Sequence, residues 1–309
     1  MNIIIKKLLR KMERIVTRAF LRMRWVVCSH IPQWRGITEK TYQEEVVVSL
    51  TSFPARIGSV KEAIKTLLMQ NQKPNHIILW LAREQFPQAE GSLPMALLKL
   101  QRYGLEIKWC DDIRSYKKLI PTLSLYPEAV IITADDDLYY RCDWLKVLYD
   151  EHLKHPDMIC AHRVTKFYLE NDFYKVIRGG YDIWPEATYL NELTGGAGAL
   201  FPPRVLDENI FDKDVFMAKC STNDDIWFWL MAVLHGTKIC VPQKANPNII
   251  YILGTQKGPT LTRINNEGSM LFWRDFQNML NQYPTLDHVL REEYKRLTCK
   301  GELNAEKSN

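Results

Sequence analysis

From residue 46 to residue 162 the chain alternates short β-branched apolar runs with segments of helical periodicity, and few folds accommodate that alternation. Candidate strands fall at 46–51, 76–81, 105–110, 129–133 and 158–162, and segments 59–70, 94–102, 117–126 and 143–155 between them read as helices. Val46-Val47-Val48-Ser49-Leu50-Thr51 is a buried-strand pattern stopped by Ser52 and Pro54. Ser59 is a candidate N-cap for a helix that carries Val60, Ile64, Leu67 and Leu68 on one face. Pro121 either starts or kinks the helix around it. Such alternation predicts an α/β fold, a mostly parallel sheet flanked by helices. In sheets of this kind ligands bind beyond the carboxyl ends of the strands. With 309 residues, 46% of them hydrophobic and 25% charged, the chain can bury a large core.

At that carboxyl-end position stands an acidic triplet. The apolar run Ala129-Val130-Ile131-Ile132-Thr133-Ala134 leads directly into Asp135-Asp136-Asp137. If the chain stays extended, Asp135 and Asp137 project together and Asp136 faces away. Crowded carboxylates repel, and a cation keeps them ionised at close range. Hard oxygen ligands favour Mg²⁺ or Mn²⁺ bridging two phosphates, with Lewis-acid stabilisation of a diphosphate leaving group as the chemistry. The plainer alternative is that Asp136 and Asp137 cap the next helix. A dehalogenase-type phosphatase also places D-x-D after a strand, but Tyr139 stands where that family has Thr or Val.

The charge is concentrated at the start. Eight basic residues between Lys6 and Arg24 against Glu13 alone give residues 1–24 a charge of +7, leaving −2 on the rest of a chain whose total is +5. A nearly neutral body argues against a nucleic-acid partner. Ile5, Leu8, Leu9, Met12, Ile15, Val16, Ala19, Phe20 and Met23 fall on one helical face, and Lys7, Arg10, Lys11, Arg14, Arg18 and Arg22 on the other. This basic amphipathic helix suits an anionic membrane surface or docking on the protein's own body. Basic residues interrupt every candidate signal-peptide core, and no apolar run approaches the roughly 18–20 residues of a membrane span. Pro32, Gly36 and the polar stretch 38–45 read as a linker. The 7 cysteines are odd in number and lack any C-x-x-C pair, which points to a reducing, cytoplasmic compartment.

With the triplet and its strand in place, the sequence resembles bacterial family-2-like GT-A glycosyltransferases, the kind that build lipopolysaccharide, lipooligosaccharide or capsule. The resemblance rests on Val48-Ser49-Leu50-Thr51-Ser52-Phe53-Pro54-Ala55-Arg56-Ile57, segments 59–70 and 77–81, and the triplet. It continues through Thr194-Gly195-Gly196-Ala197-Gly198-Ala199-Leu200-Phe201-Pro202 and Asn223-Asp224-Asp225-Ile226-Trp227-Phe228, so that residues 46–255 are covered in order. It implies a Rossmann-like GT-A domain at 41–285, preceded by the helix and linker of 1–40 and followed by a helix and polar tail at 286–309. It implies that Asp135 faces the nucleotide ribose, that Asp137 binds Mn²⁺ or Mg²⁺ with Asp135, and that Asp136 lies against the donor. The turn from Thr51 to Arg56 would lie beside the base and diphosphate of a nucleotide-sugar donor. Asp111 or Asp112 would approach the base or ribose, and Lys117 or Lys118 the phosphates; a solvated helix face is the alternative for both lysines. Gly195 and Gly196 would let the backbone approach the donor sugar, or else form a plain tight turn. Asp224 or Asp225, opening an apolar helix, would act as the base on a glycan or glycolipid acceptor, with the first of the pair preferred. Helix-dipole stabilisation alone would select the same placement. The resemblance further implies inversion of configuration and work at the inner face of the cytoplasmic membrane, held there through residues 1–24.

Two departures stand out. Where the family places an acid after the second strand, this chain reads Ala82-Arg83-Glu84, and beyond Ile250 only His288 is available as a histidine metal ligand. The aromatic-rich stretch 167–189, with Trp184, suits an acceptor groove or the core, and Trp227 and Trp229 read as core. Segment 254–263, with Gly258, Pro259 and Thr260, reads as a loop able to close Arg263 on the diphosphate. Two other classes remain: a sugar-phosphate nucleotidyltransferase, which would want a Gly-rich basic loop after the first strand, and a non-catalytic membrane adaptor on a degenerate GT-A body.

Overall fold

The computed structural model describes residues 3–40, 42–178, 186–245, 249–257 and 270–306. The strands are β1 (Val46–Thr51), β2 (His76–Ala82), β3 (Leu105–Cys110), β4 (Val130–Ala134), β5 (Ile159–Ala161), β6 (Val164–Glu170), β7 (Phe173–Arg178), β8 (Asn191–Leu193), β9 (Ala199–Phe201) and β10 (Ile239–Cys240). The helices are α1 (Ile3–His30), α2 (Val60–Leu68), α3 (Met95–Leu98), α4 (Ile120–Leu125), α5 (Trp144–His152), α6 (Gly195–Gly198), α7 (Lys213–Lys219), α8 (Asp224–His235), α9 (Leu271–Gln282) and α10 (Thr285–Glu306). A 7-stranded sheet runs β10-β5-β9-β4-β1-β2-β3, and a 3-stranded antiparallel sheet runs β7-β6-β8. β1 pairs in parallel with both β2 and β4, β2 with β3, and β5 with β10, while β9 alone runs antiparallel between β4 and β5. This is the α/β class that the alternating sequence predicts.

Two buried clusters cover the two faces of the large sheet. Val48, Leu50, Ile132 and Leu79 pack under α2, α3 and α5; Val47, Ile78, Ile131 and Phe201 pack under α8, α9 and α10. Complete burial of a large apolar side chain is worth about 1.5–3 kcal/mol, so α8 is a central element: Trp227, Phe228 and Trp229 are all 0% exposed. Both tryptophans are core, as their sequence reading holds, and Trp229 stacks on Phe276 at 5.8 Å. Apolar on all sides, α8 ends at Gly236, whose φ of 86° closes the helix in the left-handed region.

Several local expectations change. Segment 94–102 forms the single turn α3 and a short 3₁₀ turn at Gln101–Tyr103. Pro121 sits in the first turn of α4 and therefore starts that helix. Ser59 makes no cap; its hydroxyl donates to the Arg56 carbonyl instead. The stretch after α1 is tied to the body: Gly36 N–H donates to Tyr103 O at 2.7 Å, and Thr38 N–H to Pro74 O at 3.0 Å. A side chain at Gly36 would meet the Leu68 backbone within 2.7 Å, so the strap lies too close for any other residue. At the other end α10 is part of the main core, with Leu286 and Leu290 fully buried.

α1 docks by a mixed edge that carries Arg18, Leu21, Arg24 and Trp25. Leu21 is buried beside Trp25 and Cys28 against Ala63, Met69, Tyr139 and Ile250. Arg18 donates to Tyr251 O at 2.7 Å, and Arg24 to Met69 O and Asn71 Oδ1 at 3.1 and 2.8 Å. The apolar stripe points outward: Met12, Ile15, Val16, Phe20, Met23, Val26 and Val27 are 47–64% exposed. Among the described residues no helix is long and apolar enough to cross a membrane.

Candidate active site

The carboxyl ends of β1, β2, β3 and β4 open into one cavity of about 610 Å³. Thr51, Arg56, Asp112, Lys118, Asp135 and Asp225 are among its walls, drawn from residues up to 174 positions apart in sequence. Volumes of this order suit small-molecule ligands.

The triplet leaves β4 in a turn, because the strand ends at Ala134. Strand alternation therefore does not govern it. Asp135 is anchored from below: its N–H donates to the Tyr140 hydroxyl at 2.6 Å, and that hydroxyl donates to Gly196 O at 2.8 Å. Its carboxylate, about two-fifths exposed, pairs with Lys118 at 3.1 Å. Asp136 is buried, and its carboxylate accepts from Ser52 at 2.5 Å and from Arg56 at 2.8 Å. Burial raises its pKa, and Arg56 opposes the rise. Asp137 pairs with the same guanidinium at 3.0 Å and accepts from Gln256 at 2.8 Å. Burial and the charge of Asp135 push its carboxyl up to about 7. Thr51 Oγ1 donates to the Trp80 carbonyl, which fixes the end of β1 beside the cavity.

Lys118 is the hub. Only 4% exposed, it reaches Asp135 at 3.1 Å, Asp224 at 2.9 Å and Asp225 at 3.8 Å. Burial disfavours its charge, yet the surrounding carboxylates outweigh it and hold the ammonium well above its ordinary pKa. Lys117 is likewise buried and pairs with Asp112 at 2.6 Å. The solvated-face reading thus fails for both lysines. Asp112 also accepts from Gln85 at 2.6 Å, so the pocket has an acid at the end of β3 and an amide after β2. Asp111 is a correction: it is 71% exposed, turned toward Lys213 at 3.9 Å, and is not among the cavity residues. Consecutive residues leaving a strand diverge, and only the second of this pair turns inward.

Gly195 and Gly196 form the start of the one-turn helix α6, buried at the cavity wall. Gly195 N–H donates to Asp225 Oδ1 at 3.1 Å, and its carbonyl accepts from Thr133 at 3.0 Å. A side chain at Gly196 would overlap the Asp135 carboxylate. These glycines are required by close approach to two acids. Asp224 is 5% exposed and held by Ser115 and Lys118, whereas the Asp225 side chain is about 31% exposed. Burial, then the neighbouring charges of Asp224 and Asp135 against Lys118, lift Asp225 to about 7. Asn223 places no side-chain cap on α8; its amide donates to Asp275 at 2.5 Å.

Asp135 and Asp137 fit a divalent cation in one specific way. Two hard carboxylates stand together, and the charge of one raises the pKa of the other, a penalty that a cation would remove. Among the described residues no group of three or more His, Cys, Asp or Glu side chains has metal-holding geometry. Most of the coordination shell would then come from phosphate oxygens and water, as Mg²⁺ and Mn²⁺ prefer. Glu84 and His288 are exposed and do not line the cavity. Arg263 and Trp184 lie outside the described residues, as do Gly258, Pro259 and Thr260. Sequence reasoning passed over Gln85, Ser115, Gln256 and Glu192; Leu190-Asn191-Glu192-Leu193 is half polar and gives no strand signal that would single out its acid.

The fold and site define an α/β protein with an acidic, lysine-centred pocket at the ends of parallel strands. No protein-family model matches the chain, and no curated protein does. Solved structures similar to it include Staphylococcus aureus TarS 1–349, 14% identical with a TM-score of 0.45, covering 67% of this chain. This chain spans 59% of that structure's length. Another is the mannosyltransferase PcManGT from Pyrobaculum calidifontis in complex with GDP-Man and Mn²⁺, 12% identical with a TM-score of 0.47, covering 93% of this chain and 79% of that one.

Proposed function

We propose that this protein is a metal-dependent glycosyltransferase that moves a sugar from a nucleotide-sugar, foremost a UDP-sugar, to a glycan or glycolipid acceptor. The observation that carries the reading is Lys118, which ties the donor-side acid Asp135 to the acceptor-side pair Asp224 and Asp225 inside one cavity. A divalent cation on Asp135 and Asp137 would supply Lewis-acid stabilisation of a nucleoside-diphosphate leaving group. Arg56 adds a fixed positive charge beside Asp136 and Asp137, and Thr51, Gln85, Asp112 and Lys117 form the remaining donor wall.

On the acceptor side, Asp225 takes the proton of the attacking hydroxyl. It is the more accessible of the pair, and a pKa of about 7 matches proton transfer near neutral pH. Asp224, buried against Lys118 and Ser115, positions the ammonium rather than meeting the acceptor. Direct attack by the acceptor hydroxyl on the donor sugar, with no sugar held covalently by the protein, would invert its configuration. Gly195 N–H keeps Asp225 oriented. The outward apolar stripe and basic residues of α1 support work at the cytoplasmic face of the inner membrane, on acceptors of bacterial lipopolysaccharide or capsule type.

The test is calorimetric titration with UDP, with and without Mn²⁺, for the unaltered chain and for Asp137→Ala. The expected result is Mn²⁺-dependent binding that weakens at least tenfold in the variant. If UDP, GDP, CDP and dTDP all fail to bind with metal present, the transferase reading falls and the membrane-adaptor reading replaces it.

A further inference from the structure

Part of the cavity wall belongs to the small sheet. Thr165 on β6 is the direct register partner of both Arg178 on β7 and Glu192 on β8. Cross-strand partners in register share a face, and all three line the cavity together with Asp225. Thr165 is 8% and Glu192 5% exposed. A carboxyl group so placed is unusual, because buried ionised acids are costly unless paired. Its surroundings are the Thr165 hydroxyl, which hydrogen-bonds it, the Asp225 carboxyl from α8, and Arg178 from β7, whose guanidinium lies over the Phe272 ring at 5.6 Å. The proton transfer assigned to Asp225 makes no use of Glu192.

We propose that Glu192, held by Thr165, is an acceptor-binding residue that donates its carboxylic-acid proton in a hydrogen bond to a sugar hydroxyl next to the one that attacks. The inference rests on the transferase reading and adds the acceptor class, a sugar presenting adjacent hydroxyls. Burial, then the charge of Asp225, pushes Glu192 up to about 8, against the Thr165 hydrogen bond and Arg178. The acid therefore stays neutral at pH 7 and able to donate. A carboxylic acid in this state reads a hydroxyl oxygen, whereas its carboxylate reads only hydroxyl protons. Loss of the proton above pH 8 adds a second negative charge beside Asp225 and removes the donor.

The test uses the full chain with UDP and Mn²⁺, or whichever nucleotide the preceding titration selects. Binding of the methyl glycosides of glucose, galactose, mannose and N-acetylglucosamine is followed by ligand-observed NMR. The expected result is that at least one binds at pH 7 and weakens tenfold or more by pH 9. In Glu192→Gln, whose amide keeps a donor but cannot ionise, binding at pH 7 stays within about threefold and its decline above pH 8 disappears. In Glu192→Leu, glycoside binding is lost while nucleotide binding is unchanged. The inference is overturned if no glycoside binds the unaltered chain, if Glu192→Leu still binds, or if Glu192→Gln keeps the alkaline decline. Failure of the nucleotide itself to bind the unaltered chain would instead sink the transferase reading.

Discussion

At the residue scale, the site depends on contacts too short to admit substitution. A methyl group at Gly196 overlaps the Asp135 carboxylate, so Gly196→Ala must displace that acid or the α6 backbone. The expected effect is at least a tenfold loss of Mn²⁺-dependent nucleotide binding, read by calorimetry, with a far smaller loss of metal-free binding. Lys118 supplies a second case. Removing one partner of a buried ion pair costs about 3–5 kcal/mol because the other is left uncompensated. Lys118→Met should lower the urea midpoint accordingly, since Asp224 keeps its burial and loses the ammonium 2.9 Å away. Little of this was visible in sequence. The triplet and the Asp224-Asp225 pair stand out as motifs, but that one lysine joins them depends on Lys118 folding inward from a helical stretch that reads equally well as solvated. Asp111 and Asp112 show the same limit from the other side: adjacent identical acids are indistinguishable until the chain direction after β3 is fixed.

At the element scale, periodicity predicted β1 to β5, and most clearly β1, β2, β4 and β5, which are buried runs; it set out no strand at β6, β7, β8 or β10. It did worse where tertiary contacts override propensity. Segment 94–102 contains enough Leu to suggest a helix, yet Gly104 and its φ of 111° end the segment against the strap at Ile37. The strap itself read as a linker because its contacts are main-chain hydrogen bonds, which leave no pattern in side-chain composition. For α1 the amphipathic pattern was plain, but which face meets the body was not. The face toward the body carries Arg18, Arg24 and Leu21, leaving the apolar stripe free. The full chain should therefore sediment with vesicles containing anionic phosphatidylglycerol and less with pure phosphatidylcholine. Met23→Glu with Val27→Glu should reduce that binding tenfold or more and leave nucleotide affinity unchanged, since both side chains are mostly exposed and neither lines the cavity between α1 and the body.

At the scale of the whole molecule, three cavity acids make stability depend on pH and on cations. Asp137 and Asp225 are raised to about 7 and Glu192 to about 8, above the unfolded values for such groups. The folded chain then binds more protons than the unfolded chain between about pH 4 and pH 8, so these groups contribute stability at low pH that is lost as pH rises through their folded values. Without divalent cation the melting temperature should fall by several degrees from pH 5.5 to pH 8. Mn²⁺ should recover more of it at pH 8 than at pH 5.5, because only ionised Asp135 and Asp137 bind the metal. A melting temperature equally indifferent to Mn²⁺ at both values would contradict this arrangement.

The contact between Arg18 and Tyr251 reaches further than a docking hydrogen bond. Tyr251 is bridged to Leu138, Ile250 O accepts from Tyr139 N–H, and Ile252 N–H donates to Asp137 O at 2.7 Å. The segment clasped by α1 on its outer side is therefore the same one that grips the backbone of the triplet on its inner side. Trimming the first thirty residues, a routine step toward a better-behaved preparation, would unclasp that segment and expose Leu21's partners to water. Loss of nucleotide binding in the trimmed chain would then report a damaged cavity, and would be easily misread as proof that binding needs a membrane.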